Sequence, residues 1–388
     1  MQCKSNNKYF IFTLGCQMNI SDSQRIATKL DEIGYKSAPE KEADLVIINA
    51  CSVRQKGLDR IWGKIKNLQK EGKGKILITG CVLKADKRKF EQRNIETFNI
   101  KDLANLGNIL KESSKNNIDA DYFNIDPKME GRVAYIPIGT GCDNFCSYCA
   151  VPYTRGREVS RPQKDIIVEV KKALELGYKE ILLLGQNVNS YGKEPGGSHS
   201  ERSEESPANA GSHIHERSFT AVQDDKVDNQ DFIKLLKTID AIDKDFSFNF
   251  MSSNPHDMGD DLIQTFSELK KWPRELHLAM QSGDDEILKK MNRKYTSAQY
   301  LKLTENLKLK IKNLKLSTDI IVGFPGETKE QFENTVKLCK KISFCKAYVS
   351  QYSPRPGTVS AKIEDDVSAV EKKKRWTILD NLINKKFL

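Results

Sequence analysis

Short apolar runs alternate with longer stretches of mixed polar and apolar residues over the first 125 residues. The apolar runs are residues 9–14, 44–49 and 75–79, and each has the length of a buried strand. The mixed stretches 21–33 and 55–71 are typical of helices, with Ser21 or Asp22 as the expected N-cap of the first. Strands separated by helices indicate a parallel sheet, so we predict an α/β fold that begins with a doubly wound parallel-sheet domain.

The same alternation returns from Gly131 onward with six further apolar runs. Predicted strands cover residues 134–138, 180–184, 246–251, 275–280, 316–322 and 347–351. Predicted helices cover residues 165–176, 231–242, 260–269, 297–311 and 329–341. Six strands with interleaved helices fit a partial (β/α)6 barrel, in which ligands bind at the C-terminal ends of the strands.

Two further segments affect the division into domains. Residues 192–230 are rich in Gly, Ser, Glu, Asp and Asn and hold few large apolar side chains. They cannot bury enough surface to offset the entropy lost on ordering, so we expect a disordered insert there. The segment from Glu371 onward mixes Lys and Arg with apolar residues and predicts a basic amphipathic helix. We therefore expect an N-terminal domain over 1–128, a second domain over 129–360 and a C-terminal helix within 361–388.

Three cysteines lie close together in the loop after the first strand of the second domain. Cys142, Cys146 and Cys149 have the spacing C-x3-C-x2-C, and the next cysteine is Cys339. Three thiolates can hold three irons of a 4Fe-4S cube and leave the fourth iron open to a reactant, whereas ferredoxin runs supply a fourth cysteine. Structural zinc usually has four protein ligands, and an odd total of nine cysteines argues against a disulfide framework. An open cluster is favoured, with zinc or inert thiols as the alternatives.

Three more cysteines follow the predicted strands of the N-terminal domain. Cys16, Cys51 and Cys81 are separated by 35 and 30 residues, and each stands just past the end of a strand. The carboxyl ends of parallel strands line one crevice, so we expect these three side chains to converge. The sequence thus predicts a second three-cysteine 4Fe-4S site, the alternative being three scattered buried cysteines.

Other candidate residues follow strands of the second domain or the cysteine loop. Polar residues and a glycine follow the strands, namely Gln186, Asn187, Gln281 and Gly323. Three arginines follow the cysteine loop, namely Arg155, Arg157 and Arg161. Arginine binds phosphate or carboxylate through two parallel hydrogen bonds, so these three are candidate substrate contacts, and a solvated basic loop is the alternative.

Composition narrows the class of protein. The chain has 388 residues, of which 38% are hydrophobic, and no apolar run approaches the roughly 18 residues of a membrane helix. The first residues lack the apolar core of a signal peptide, and free cysteines favour a reducing cytoplasm. A net charge of +10 is compatible with RNA as a partner or with a solubilising surface. Three of the five histidines fall in the insert, which gives histidine-based hydrolysis little support.

The run 139–149 resembles the signature of the radical S-adenosylmethionine (SAM) superfamily. The surroundings of Cys16 (LGCQMN), Cys51 (NACSVR) and Cys81 (TGC) resemble the N-terminal domain of the methylthiotransferases within it. The resemblance implies that SAM binds the open iron of the first cluster, and that the second cluster handles the transferred sulfur. It also implies that the loops with Gln186, Asn187, Gln281 and Gly323 contact SAM or shape its pocket.

Within that family, four stretches most resemble the branch that modifies isopentenyladenosine in tRNA: 51–54, 141–146, 151–158 and 352–358. The expected reaction is methylthiolation of C2 of N6-isopentenyladenosine next to the anticodon, with two molecules of SAM. The expected partners are the tRNA anticodon stem-loop and an electron donor of the flavodoxin or ferredoxin type, and we expect a monomer.

Other activities remain open at this point. Related enzymes methylthiolate threonylcarbamoyladenosine in tRNA or an aspartate of a ribosomal protein. A non-catalytic iron–sulfur electron carrier or a zinc-bearing RNA binder is an alternative of another class.

The sequence departs from the family in two main places. The insert 192–230 is longer than the usual connection, and the small β-barrel RNA-binding domain that usually ends these chains is expected to be absent. A local departure is Ala279-Met280, where the family usually reads Pro-Val.

Overall fold

The structure is a computed structural model that describes residues 7–72, 74–111, 122–193 and 229–385. Most of the expected insert, residues 194–228, therefore lies outside the described residues. Within the described part, no helix is both long and apolar enough to cross a membrane.

The first described domain is built on one sheet of five parallel strands in the order β2-β1-β3-β4-β5. The strands are β1 (Lys8–Thr13), β2 (Lys36–Ser37), β3 (Leu45–Cys51), β4 (Lys75–Cys81) and β5 (Glu96–Thr97). The helices are α1 (Gln17–Glu32), α2 (Gln55–Lys70), α3 (Lys84–Glu91) and α4 (Leu106–Lys111). The parallel α/β sheet predicted here is confirmed.

Strand β3 shows why both faces of this sheet must be covered. Its residues are nearly all buried, and successive side chains point to opposite faces. Val46 and Ile48 pack with Ile61 of α2, whereas the alternate residues of β3 pack with Leu30 of α1. A strand that is apolar on both faces requires helices on both faces of its sheet.

The predicted start of α1 is wrong. The helix begins at Gln17, and Cys16 is its N-cap. Ser21 and Asp22 lie in the helix interior and face the second domain, where Ser21 donates to the Tyr135 carbonyl at 3.2 Å. These two polar side chains form contacts between the domains. The sequence alone does not distinguish a polar residue that caps a helix from one that lies in a buried polar contact.

The second domain contains two three-stranded parallel sheets, in the orders β10-β9-β6 and β11-β12-β13. Their strands are β6 (Val133–Pro137), β9 (Glu180–Leu184), β10 (Ser247–Phe250), β11 (Glu275–His277), β12 (Lys315–Val322) and β13 (Lys346–Gln351). A parallel bridge between Ser253 and Leu278 links the two sheets. The short strands β7 (Gly139–Thr140) and β8 (Val159–Ser160) form an antiparallel pair beside the cysteine loop.

Helices alternate with these strands, as predicted. They are α5 (Val151–Arg155), α6 (Gln163–Glu175), α7 (Gln230–Asp240), α8 (Asp260–Glu268), α9 (Asp285–Lys290), α10 (Ser297–Lys310), α11 (Lys329–Ile342) and α12 (Ala369–Ile383). The C-terminal helix α12 packs into the apolar core of the second domain through Leu379 and Ile383. The indole of Trp376 also donates to the Val349 carbonyl of β13 at 2.9 Å.

Three buried ion pairs join the two domains in the described part of the chain. Arg25 of α1 bonds both carboxylate oxygens of Glu169 of α6 at 2.9 Å. Arg155 reaches Asp22 at 2.6 Å, and Arg355 pairs with Asp86 of α3. A buried charge that loses its partner is strongly destabilising, so these pairs fix how the domains meet.

Candidate active site

A cavity of about 710 Å³ lies between the two domains, and all six predicted ligand cysteines line it. Cys16, Cys51 and Cys81 come from the N-terminal domain and are called the sheet triad below. Cys142, Cys146 and Cys149 come from the second domain and are called the loop triad. The structure thus brings both sets to one space, and their role as cluster ligands stays a prediction.

The sheet triad is assembled by strand register and a helix start. Cys51 and Cys81 end the adjacent strands β3 and β4 and face each other in register. Cys16 joins them from the N-cap of α1, where the amides of Met18 and Asn19 donate to its sulfur. A buried asparagine pair ties these turns together, since Asn49 donates to the Asn19 carbonyl at 2.7 Å.

The loop triad is held by local hydrogen bonds to its sulfurs. Asn144 donates to Cys142 at 3.4 Å, and the Val151 amide donates to Cys149 at 3.4 Å. The third donor is distant in sequence, since Arg293 reaches the Cys146 sulfur at 3.4 Å.

Two glycines are required where the chain passes behind a cysteine. Gly80 precedes Cys81 with φ of 96°, and a Cβ there would lie 2.4 Å from the Ala50 carbonyl oxygen. Gly141 precedes Cys142 with φ of 83°, and its Cβ would lie 2.0 Å from the Arg157 carbonyl oxygen. Both the positive φ and the close backbone exclude other residues.

The cysteines differ in their electrostatic surroundings. The Cys81 thiol hydrogen-bonds the Cys51 sulfur, which lowers the pKa of Cys51 and raises that of Cys81 well above its ordinary value. Cys16 is exposed at the cavity, but desolvation by the surrounding protein still raises the pKa of its thiol. In the loop triad, burial raises the pKa of Cys142 to about 11 and of Cys149 to about 12. Binding of a metal would therefore release protons from these thiols.

The donor sets fit a 4Fe-4S cluster. Thiolates are the usual ligands of iron–sulfur clusters, and each triad supplies three of the four needed. Among the described residues, no three His, Cys, Asp or Glu side chains converge as the ligands of a single metal ion do. The irons of a cube are separate, and each needs only one thiolate, so this finding is compatible with a cluster.

The three candidate arginines are not brought together. Arg155 is buried between Asp22 and Cys81, with its Nε donating to the Cys81 sulfur at 3.0 Å. Arg161 is buried too, bonded to the Pro137 carbonyl and to Glu169. Arg157 remains exposed and pairs with Asp143 at 2.9 Å. Only Arg157 thus retains the exposure that substrate binding needs.

Three of the four residues predicted for the SAM pocket line the cavity: Gln186, Asn187 and Gln281. The Gln186 side chain accepts from the Gly141 amide at 2.5 Å, beside the loop triad. The side-chain oxygens of Asn187 and Gln281 are buried with no hydrogen-bond partner among the residues that the structure describes, and they suit the donors of a polar ligand. Gly323 lies apart from the lining, packed under the Lys372 side chain of α12.

Sequence reasoning missed several residues of this cavity. Arg293 has no motif of its own, and only its position after a strand and helix could have indicated it. Asp319 of β12 also lines the cavity. His277 of the neighbouring strand β11 lies outside the lining, with 3.5 Å between its Nε2 and Asp319 Oδ2. The Ser252 amide donates to His277 Nδ1 at 3.2 Å, and burial lowers the pKa of this histidine.

Comparison with known families is consistent with this geometry. Residues 136–339 match the radical SAM superfamily, and residues 8–100 match a family described as Uncharacterized protein family UPF0004. A tRNA-2-methylthio-N(6)-dimethylallyladenosine synthase of Clostridium botulinum (strain Hall) is 38% identical over 97% of this chain and 81% of its own length. The chain belongs to this synthase family of radical SAM proteins. A member from Thermoanaerobacter sp. (strain X514) is also 38% identical, over 98% of this chain and 79% of its own.

Solved structures support the fold at much lower identity. The radical SAM methyltransferase TsrM from Kitasatospora setae matches 92% of this chain and 75% of its own, with TM-score 0.58 and 12% identity. The cobalamin-dependent SAM radical enzyme OxsB matches 96% of this chain and 56% of its own, with TM-score 0.56 and 10% identity. At these identities the likeness concerns the fold alone.

Proposed function

We propose that this protein methylthiolates C2 of N6-isopentenyladenosine next to the anticodon of tRNA, with two molecules of SAM. The observation that carries the proposal is the single cavity lined by both cysteine triads. The family to which the chain belongs supports the same reaction, because the synthases of this family are named for that product.

The cofactors are SAM and 4Fe-4S clusters. The loop triad would hold the cluster that binds SAM, and the sheet triad would hold the second cluster. When bound, these groups supply a radical that can remove hydrogen from a carbon and a methylthio group to replace it. The C–H bond at C2 of adenine is not acidic enough for a side-chain base, which is why such chemistry is needed.

The chain's own residues prepare the cavity for this reaction. Asn187 and Gln281 offer buried acceptors, for which the hydroxyl and amino groups of SAM are suitable donors. Arg155 and Arg293 each place a cation against one sulfur of a triad. The interdomain ion pairs hold the two walls together, so that a target base can reach both.

Exposed cations at the cavity suit an RNA substrate. Arg54, Lys56 and Arg60 surround the start of α2 and line the cavity on the N-terminal side. None of the three forms an ion pair within the described part of the chain. Phosphates of a single-stranded loop are the expected partners, with the target base splayed into the cavity.

Finer features of the protein belong to the same proposal. We interpret the six strands β6 and β9–β13 as a partial (β/α)6 barrel, and Arg157 as a substrate contact. We place the protein in the cytoplasm as a monomer that receives electrons from a flavodoxin or ferredoxin type of donor.

The test is an anaerobic assay of reconstituted protein with reductant, SAM and isopentenylated tRNA. We expect 5′-deoxyadenosine and a methylthiolated nucleoside in the same reaction, detected by mass spectrometry. A Cys345→Ala variant, altered outside both triads, should behave as the native protein. Absence of 5′-deoxyadenosine would refute a radical enzyme.

The same assay separates the sister substrates. Threonylcarbamoylated tRNA and the ribosomal protein aspartate are tested in parallel. Deoxyadenosine with methylthiolation of either one, but not of isopentenylated tRNA, would contradict the proposed substrate and retain the reaction type.

A further inference from the structure

Arg155 connects the two triads although it belongs to only one domain. It lies six residues after Cys149, yet its Nε donates to the Cys81 sulfur of the other domain at 3.0 Å. Its side chain is 4% exposed, and its Nη2 donates to Asp22 at 2.6 Å. The guanidinium therefore stands between a candidate cluster ligand and a carboxylate.

The short helix α5 spans the gap between the triads. Its first residue, Val151, donates its amide to the Cys149 sulfur, and its last residue, Arg155, donates to the Cys81 sulfur. The first and last residues of this short helix thus donate to cysteines of different triads. A movement of either triad would be passed to the other through this helix.

Asp22 orients the guanidinium, and a second group orients Asp22. The Tyr122 hydroxyl donates to the other carboxylate oxygen of Asp22. The chain of contacts from Tyr122 to Asp22, Arg155 and Cys81 resembles the outer hydrogen bonds that fix the ligands of metal sites.

We propose that Arg155 is a positioning residue for the sheet triad, which fixes Cys81 and raises the reduction potential of the cluster held there. The proposal rests on the proposed function, because it requires a cluster on Cys16, Cys51 and Cys81. A donor and a positive charge beside a cluster sulfur favour the reduced state, which carries one more negative charge.

Arg293 offers the corresponding contact in the loop triad, with one difference. It donates to Cys146 at 3.4 Å, and its other donors go to Asn254 and the Ala279 carbonyl. No carboxylate pairs with Arg293 among the described residues, whereas Asp22 partly neutralises Arg155. The net charge beside the sheet triad can therefore be changed in either direction by substitution.

The experiment follows the sheet-triad cluster alone. The full chain carries Cys142→Ala, Cys146→Ala and Cys149→Ala, and iron content and potential are measured by spectroscopic redox titration. Arg155→Met should shift the potential to more negative values, because it removes the donor and the charge. Asp22→Asn should shift it to more positive values, because it leaves the guanidinium unneutralised.

Two further variants complete the test. Arg155→Lys keeps the charge without the planar fork and should lie between native and Arg155→Met. Arg88→Met removes an exposed arginine of α3, in the same domain as the sheet triad, and should leave the potential unchanged. Shifts of opposite sign at Arg155 and Asp22 would not arise from a merely structural contact.

The outcomes are distinguishable. If Arg155→Met loses the cluster while Arg155→Lys and the exposed control retain it, the positioning role is supported by iron content. Equal potentials and iron contents in all variants would overturn the role of Arg155 and leave the proposed function intact. Absence of iron from the parent triple variant would overturn both, since the sheet triad would then hold no cluster.

Discussion

The loop triad takes its cysteines from residues 142–149, whereas the sheet triad collects Cys16, Cys51 and Cys81 from three strand ends. The loop triad is therefore encoded mainly by local features, namely its spacing, Gly141 and the donors Asn144 and Val151, although Arg293 is distant in sequence. The sheet triad depends on the register of β3 with β4 and on the start of α1. Loss of sheet order should disperse the sheet triad, while the loop triad depends mainly on its own backbone.

The largest effect is expected from Gly141→Ala, which disturbs the backbone of the loop triad and leaves the sheet triad unchanged. A Cβ would lie 2.0 Å from the Arg157 carbonyl oxygen, at a φ of 83° that alanine disfavours. We expect 5′-deoxyadenosine formation to be abolished and iron to fall from roughly eight to roughly four per chain, measured by iron assay.

The matched control for this change is Gly177→Ala. Gly177 has φ of 90°, but nothing lies within 4 Å of its Cβ position. It should cost only the backbone strain and retain both iron and activity. Equal iron loss in the two variants would contradict the steric argument.

The next effect concerns the stability that a buried ion pair between the domains gives to the protein that carries both triads. Arg355→Leu leaves Asp86 buried without its partner, and such a loss costs about 3–5 kcal/mol of unfolding free energy. Denaturant titration measures the loss. Lys128→Met removes an exposed ion pair with Asp31 in the N-terminal domain and should cost less than about 1 kcal/mol. Similar losses in both variants would argue against a buried interdomain contact.

A smaller effect is expected from a variant that perturbs the sheet triad and leaves the loop triad intact. Asn49→Leu removes the donors to the Asn19 carbonyl and the Ser23 hydroxyl, at a cost of about 1–3 kcal/mol. We expect the sheet triad to lose iron and the loop triad to keep its own, so that SAM cleavage survives without methylthiolation. Asn306→Leu, in an exposed contact with Asp260, is the control. Loss of SAM cleavage in Asn49→Leu would show that the triads are not independent.

The smallest effect concerns the RNA at the cavity edge. Replacing Arg54, Lys56 and Arg60 together by Gln should lower the slope of log affinity against log salt by roughly 2, at about 0.7 per phosphate contact. Binding of tRNA is measured at several salt concentrations. Gln at the exposed Lys171, Lys234 and Lys310 is the control for net charge. Equal slopes for the two triple variants would place the RNA elsewhere.

The same contrast explains what could be predicted from the sequence. The sequence predicts strand β9 with its observed limits, residues 180–184, because four apolar residues between Glu180 and Gly185 have the length of a buried strand. The meeting of Cys16, Cys51 and Cys81 followed from parallel strands. The strand predicted over 275–280 ends at His277 in the structure, since the chain turns toward Gln281, which has φ of 65°.

Contacts between domains could not be predicted in this way. The sequence predicts substrate contacts at Arg155 and Arg161, but an arginine-rich loop is equally typical of phosphate binding and of buried ion pairs. Only the docking of α1 against the second domain decides between them, and docking leaves no periodic pattern in the sequence. Two-residue strands such as β2 and β7 escaped notice for a related reason, since they are too short for any alternation.

Helix α5 has a consequence for chain length. A helix turns by about 100° and rises about 1.5 Å with each residue. One residue inserted between Cys149 and Arg155 would swing the guanidinium away from Cys81 and leave Asp22 facing an empty space. The interval of six positions is thus as strictly constrained as the gaps between the cysteines themselves, and an insertion or deletion there should be the rarest change in this part of the chain.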